Sequence, residues 1–192
     1  MIVATPDPAT AEGHVADKYR EDLENDGFVF GHTRLMAVNP EAEQAFEALL
    51  GAIIPSIGVR TYELATLGAA AALRSGHCLL AHGRRSLRIE ALDEDEVVQI
   101  ARGDADGPLP PSDAAVVRFA AKVSTDAAAM TDADSQDLRD HGYSDREIVD
   151  IALAAAARNY FSRALLALAV PVDDMPGLSP RVKEALLSPL SR

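Results

Sequence analysis

Two helical runs broken at Ser75-Gly76 constrain this chain more than any other feature. Residues Thr61 to Leu73 are rich in Ala and Leu and contain no proline, a composition that favours helix. After Ser75-Gly76 a second apolar-periodic stretch runs from His77 to Ile89, so the break reads as a tight junction between two helices. Helices are also expected on either side. Thr10 reads as the N-cap of one ending near Asn25-Asp26-Gly27, and Asn39-Pro40 as N-cap and first turn of one through Ile54. Ala45, Phe46, Leu49, Leu50 and Ile53 form the apolar stripe of that second helix, and Pro55 and Gly58 close it.

Further along, Asp93 with Glu96 and Ser144 with Glu147 have capping-box spacing, and Thr131 and Asp134 open another helix that ends at Gly142. Ser112 is expected to cap a helix through about Ser124 that buries Val116, Phe119, Ala120 and Val123. The longest helix should run from about Asp145 to Ala169, with protein on all sides of its apolar stretch Ile148 to Ala157. Ser179-Pro180 begins a short C-terminal helix suited to lying on a partner chain. The expected class is all-α.

At 192 residues the chain can bury one core, so a single domain over 1–192 is expected. Its core spans about 28–173, with the N-terminal arm and C-terminal helix peripheral. The Gly- and Pro-rich segment from Gly103 to Pro111 reads as a loop between two halves. A net charge of −12 argues against nucleic acid as a partner. Arg84, Arg85 and Arg88, the densest basic group, read as a solvated helix face. One cysteine excludes an intrachain disulfide and suits a reducing compartment. Met1 to Glu24 lacks a leader pattern, and uninterrupted apolar runs such as Ile151 to Ala157 are far short of a membrane span. A cytoplasmic protein without membrane contact is expected.

Cys78 falls in the first turn of its helix, where unpaired N–H groups and the positive end of the macrodipole favour an anion, an arrangement expected to lower the thiol pKa. His82 lies one turn on, and an antiparallel hairpin of the two helices would bring Glu63 towards both. His77 stands beside Cys78, and the Ser75 hydroxyl is placed to cap the Cys78 N–H. Blander roles exist for each residue type. A lone cysteine is commonly a small buried hydrophobe. His32 reads as a packing histidine, and Asn159, Ser162 and Arg163 as polar groups satisfied at a helix junction or subunit contact. Cys78, His82, Glu63 and His77 are donors suited to zinc, but adjacent His77 and Cys78 point in different directions, so no metal or other cofactor is expected.

Glu63, His77, Cys78 and His82 resemble the motif of the alkyl hydroperoxidase D-like (AhpD-like) branch of the carboxymuconolactone decarboxylase family. In that motif a glutamate is followed, about a helix later, by Cys-x-x-Cys-x-x-x-His, often with histidine just before the second cysteine. The first cysteine position is Ser75 here. Leu109-Pro110-Pro111-Ser112, the Lys122 to Thr131 stretch, His141 to Asp145, and Asn159 to Arg163 running on to Val170 resemble the family's peroxidase-related members, so the likeness covers about Phe28 to Asp173.

The resemblance implies an AhpD-like helical bundle assembled as a homo-oligomer, a dimer or a hexamer made as a trimer of dimers. It also implies a thiol oxidoreductase acting on a small peroxide, with Cys78 as nucleophile and Glu63 and His82 relaying protons. Serine at position 75 cannot close the family's internal disulfide, so an oxidised Cys78 would need an external thiol or a partner protein such as a peroxiredoxin. Two other readings remain. One is an acid–base enzyme like the decarboxylase branch, with His82 or His77 acting on a lactone acid and Cys78 merely lining the pocket. The other is an inactive oligomeric relative.

Overall fold

In a computed structural model of the chain, residues 1–104 and 106–191 are described. They form nine α-helices and two short 3-10 turns, with no strand among the described residues. The helices are α1 Gly13–Asp26, α2 Gly31–Met36, α3 Pro40–Ala72, α4 Gly76–Arg88, α5 Glu94–Arg102, α6 Pro111–Asp126, α7 Asp132–Asp140, α8 Asp145–Ala167 and α9 Pro180–Leu187. The bundle is built around the C-terminal half of α3, which packs against α6, α8 and α4. Tyr62, Leu64, Ala65, Leu67, Ala69 and Ala70 are all fully buried there. Small residues set how closely the helices approach. A Cβ on Gly68 would stand 2.8 Å from the Val117 carbonyl oxygen on α6, so that crossing tolerates no side chain.

Short-range signals hold well. Asn39 accepts from the Ala42 N–H, and the paired bonds of a capping box form between Asp93 and Glu96 and between Ser144 and Glu147. The two helices expected either side of Pro55 and Gly58 are both present and meet within α3, which leaves helical geometry at Gly58, φ 76° and ψ 162°, a conformation open to glycine at little cost; Pro55 lies inside the first of them. Phe28 to Met36, which has no clear apolar period, contains the short helix α2. Two expectations need correction. The helix at 111 starts on Pro111 rather than being capped by Ser112; the Pro110 carbonyl accepts from Asp113 and Ala114 N–H, which suits proline at the first helical position. At the C-terminus, α9 buries Val182, Ala185 and Leu186 against α4 and α5, so it completes this chain's own core.

The apolar stretch of α8 is covered on one face only. Ile151, Ala154 and Ala155 are buried, but Val149 is 54% and Leu153 42% exposed. Leu49 of α3 is also exposed, and the ring of Tyr160 on α8 stacks on Phe46 of α3 at 5.6 Å. One chain has no further layer to cover it.

Candidate active site

The site lies where α4 begins, between α3 and α8. Backbone bonds end one helix and start the next across the junction: Ser75 N–H donates to Ala70 O, and Ser75 O accepts from Leu79 N–H. Cys78 therefore sits in the first turn of α4, as its sequence position implies. The expected cap does not form. The Ser75 hydroxyl is buried, makes no bond to the Cys78 N–H, and has no hydrogen-bond partner among the described residues. Ser75 holds the junction through its backbone.

Glu63 and His82 meet as expected. The Glu63 carboxylate, fully buried, lies 2.8 Å from His82 Nδ1 and is also held by Arg85 and the Ser86 hydroxyl. Burial alone would raise the Glu63 carboxyl, but His82, Arg85 and Arg158 together hold it below the ordinary carboxylate value. Burial and the Arg158 charge lower His82, outweighing the support from Glu63. An ionised Glu63 accepts from Nδ1–H, so the neutral imidazole keeps its Nε2 lone pair available as a base. His77 turns elsewhere: its Nε2–H donates to Pro171 O at 2.9 Å, tying α4 to the chain after α8, while its Nδ1 is buried without a partner among the described residues.

The partners of the sulfur come from α8. Ser162 Oγ lies 3.1 Å and Arg158 Nη1 3.5 Å from Cys78 Sγ, and Arg158 Nη2 donates to Tyr62 Oη at 3.2 Å. Cys78 is only 2% exposed, yet its surroundings are polar. Arg158 is itself buried, its Nε has no partner, and no carboxylate lies within ion-pair distance among the described residues. Burial works to lower the guanidinium, but Cys78 and Tyr62 raise it, and the net direction is up. Sequence reasoning missed Arg158 and gave Ser162 only a packing role. The available signal was an arginine and a serine four apart on one face of an otherwise Ala-rich helix.

Cys78, His77, His82, Tyr62, Arg85 and Arg158 all line one cavity of about 380 Å³, within the range of small-molecule sites. His32 lines it too, stacked on Phe30 and edge-on to Phe161. Burial, with His77, His82 and Arg158 nearby, lowers His32 to about 4, so it is uncharged at neutral pH. Among the described residues no three His, Cys, Asp or Glu side chains converge as a metal site.

Comparisons with known proteins agree with this architecture. The sequence model of the Carboxymuconolactone decarboxylase family matches residues 40–106, which hold Glu63, Cys78 and His82. The structure resembles the alkylhydroperoxidase AhpD core of an uncharacterized peroxidase-related protein from Ralstonia eutropha JMP134 (TM-score 0.78, 24% identity, 90% of this chain and 92% of that one). It also resembles an uncharacterized peroxidase-related protein from Silicibacter sp. TM1040 (TM-score 0.74, 23% identity, 90% and 94%). A third similar structure is a cysteine-to-alanine variant of the debrominase Bmp8 in complex with 2,3,4-tribromopyrrole (TM-score 0.74, 19% identity, 98% and 96%). At these identities the likeness shows a shared fold. No curated protein matches the chain.

Proposed function

We propose a thiol-based redox function for this chain, whose residues 40–106 match the Carboxymuconolactone decarboxylase family and whose fold is shared with an alkylhydroperoxidase AhpD core. The observation that carries the proposal is the Arg158–Cys78 contact. The buried Arg158 guanidinium makes no direct ion pair with a carboxylate among the described residues, and a thiolate on Cys78 would put a negative charge in contact with it. In this reading His82 takes the thiol proton at Nε2, directly or through a water, and Glu63 steadies the resulting imidazolium. The thiolate attacks a hydroperoxide oxygen, forming an S–O bond as the O–O bond breaks. Sulfur is oxidised to the sulfenic acid, the peroxide is reduced, and the leaving alkoxide collects the proton from His82 to depart as an alcohol. One external thiol then forms a mixed disulfide and releases water, and a second restores Cys78. A peroxiredoxin or a small cytoplasmic thiol would serve as reductant, and a second copy of the chain would cover the strip of Leu49, Val149 and Leu153.

Mass spectrometry of dimedone-trapped protein tests the assignment. Substoichiometric hydroperoxide should give one adduct on Cys78, formed at least about a hundredfold faster than on the unfolded chain, given the weight of positioned acid–base catalysis. An equal rate in both states overturns it.

A second reading draws on the Glu63–His82 pair, which is complete without sulfur. A decarboxylase-like enzyme would turn over a lactone acid as the Cys78→Ser variant, whereas the thiol enzyme would not act at all. Halogenated aromatics belong in the same screen, because a debrominase shares the fold.

A further inference from the structure

A second cavity, of about 450 Å³, shares no lining residue with the one that holds Cys78. It exists because α5 and α6 both pack on α3 with little contact between them, and the side chains facing the gap are too small to fill it. Gly68, Ala71 and Ala72 of α3 and Ala114, Val117 and Ala121 of α6 supply its apolar surface. Its walls are held in place from two sides. Arg60 of α3 binds Glu96 at the start of α5 and Asp113 at the start of α6. Buried Gln99 pins the loop joining those helices, accepting from Leu109 N–H at 2.9 Å and donating to Asp104 O at 3.3 Å. The cavity is therefore preformed, and its size suits a small molecule.

Its rim is positive in a chain whose net charge is −12. Arg102, the last residue of α5, is exposed and makes no ion pair among the described residues. Arg118 of α6 holds Asp137 at 2.9 Å, but both side chains are well exposed, so the pair is weak and open to exchange. Arg74 also lines the cavity and is engaged elsewhere. Asp104 is the one acid on the lining among the described residues. A ligand with an apolar body and one anionic head would bury the body against the alanines and present the head to Arg102 and Arg118.

We infer that this cleft between α5 and α6 is a binding site for a small amphipathic organic anion, a medium-chain or aromatic carboxylate in class, with Arg102 and Arg118 as its anion-recognising residues. The site is separate from the thiol pocket and independent of the reaction proposed there.

Anilinonaphthalene sulfonate, an apolar body with one negative group that fluoresces when sheltered from water, is the probe. The native protein should bind it, and octanoate should displace it at least about tenfold more effectively than octanol, the weight of a charge-assisted hydrogen bond. Arg102→Gln and Arg118→Gln should each weaken probe binding about three- to fivefold, as loss of an exposed ion pair does. Ala121→Phe, which fills the apolar part of the cleft, should weaken it more than about tenfold by removing the area the probe buries, with the helical circular dichroism retained. Should that variant unfold, the two arginine variants decide. Binding unchanged in all the folded variants would put the probe in the Cys78 cavity and overturn the inference, and equal displacement by octanol would do the same. Absence of binding also overturns it, whether the cleft stays empty or sedimentation shows a second copy covering it.

Discussion

Arg60 and Arg158 are both arginines whose side chains reach between helices, and they are used in opposite ways. Arg60 leaves no capacity spare. Its Nε donates to Asp113 at 2.8 Å, its other nitrogens reach both oxygens of Glu96 and the Ala91 carbonyl, and Glu96 is itself half of the α5 capping box. The three groups clasp α3, α5 and α6. Arg158 is more deeply buried, yet it meets a sulfur, a phenol and the face of the Phe161 ring, with no carboxylate in ion-pair contact and Nε unpaired among the described residues. A saturated network holds a fold together. An unsaturated one keeps charge in reserve, which is tolerated where chemistry uses it.

Exchanging the two arginines for an apolar residue breaks the comparison most directly. Arg158→Met should slow hydroperoxide-driven sulfenylation by about a thousandfold, as loss of a buried charge at the reacting atom does. Its unfolding free energy should hold or rise, since an apolar replacement of a buried charge is commonly neutral or stabilising. Arg60→Met should do the reverse. It strands the Glu96 and Asp113 carboxylates and should cost about 2 to 3 kcal/mol in urea unfolding, below the full buried-pair penalty because Arg60 is partly exposed. Its sulfenylation rate should stay near wild type. If Arg158→Met also unfolds the protein, the contrast between clasp and reserve fails.

Next in size is the proton relay. Glu63→Gln and His82→Asn should each slow sulfenylation by about a hundredfold at neutral pH, the usual weight of general acid–base catalysis. The double variant should be little slower than either single one, because the two residues act as a unit. Additive losses would mean that Glu63 serves mainly Arg85 and the fold.

The difference between the two arginines also shows what sequence could reveal. The Glu63–His82 contact and the place of Cys78 in the first turn of α4 were legible because one helix junction sets both, a short-range relation. The capping boxes at Asp93 and Ser144 were legible for the same reason. Arg158 stands 80 residues from the cysteine it contacts, and only the packing of α4 against α8 brings it there. The Ser75 hydroxyl misled because a side chain of the right type at the right spacing need not turn towards the amide. The apolar stretch of α8 misled because an all-apolar pattern does not say which of its faces this chain itself buries.

The smallest effect expected is a titration at the one ring of the pocket lining that stands among aromatics without an ion partner. His32 is lowered to about 4 by burial and by the neighbouring His77, His82 and Arg158, against an ordinary value near 6.5. Between these values the unfolded chain binds a proton that the folded chain refuses, so stability from His32 is complete above about pH 6.5 and is lost as pH falls towards 4. From pH 7 to pH 5 that amounts to about 1 to 2 kcal/mol. The lowered His82 adds a loss of the same sign. His32→Phe preserves an aromatic ring against Phe30 and Phe161 while removing the titration. The variant should therefore resist acid better than wild type, with a shallower fall in unfolding free energy over that range and little difference at pH 7. An identical pH slope in the two proteins would show that His32 accepts its proton in the folded state, and that the floor of this pocket is more polar than its aromatic walls imply.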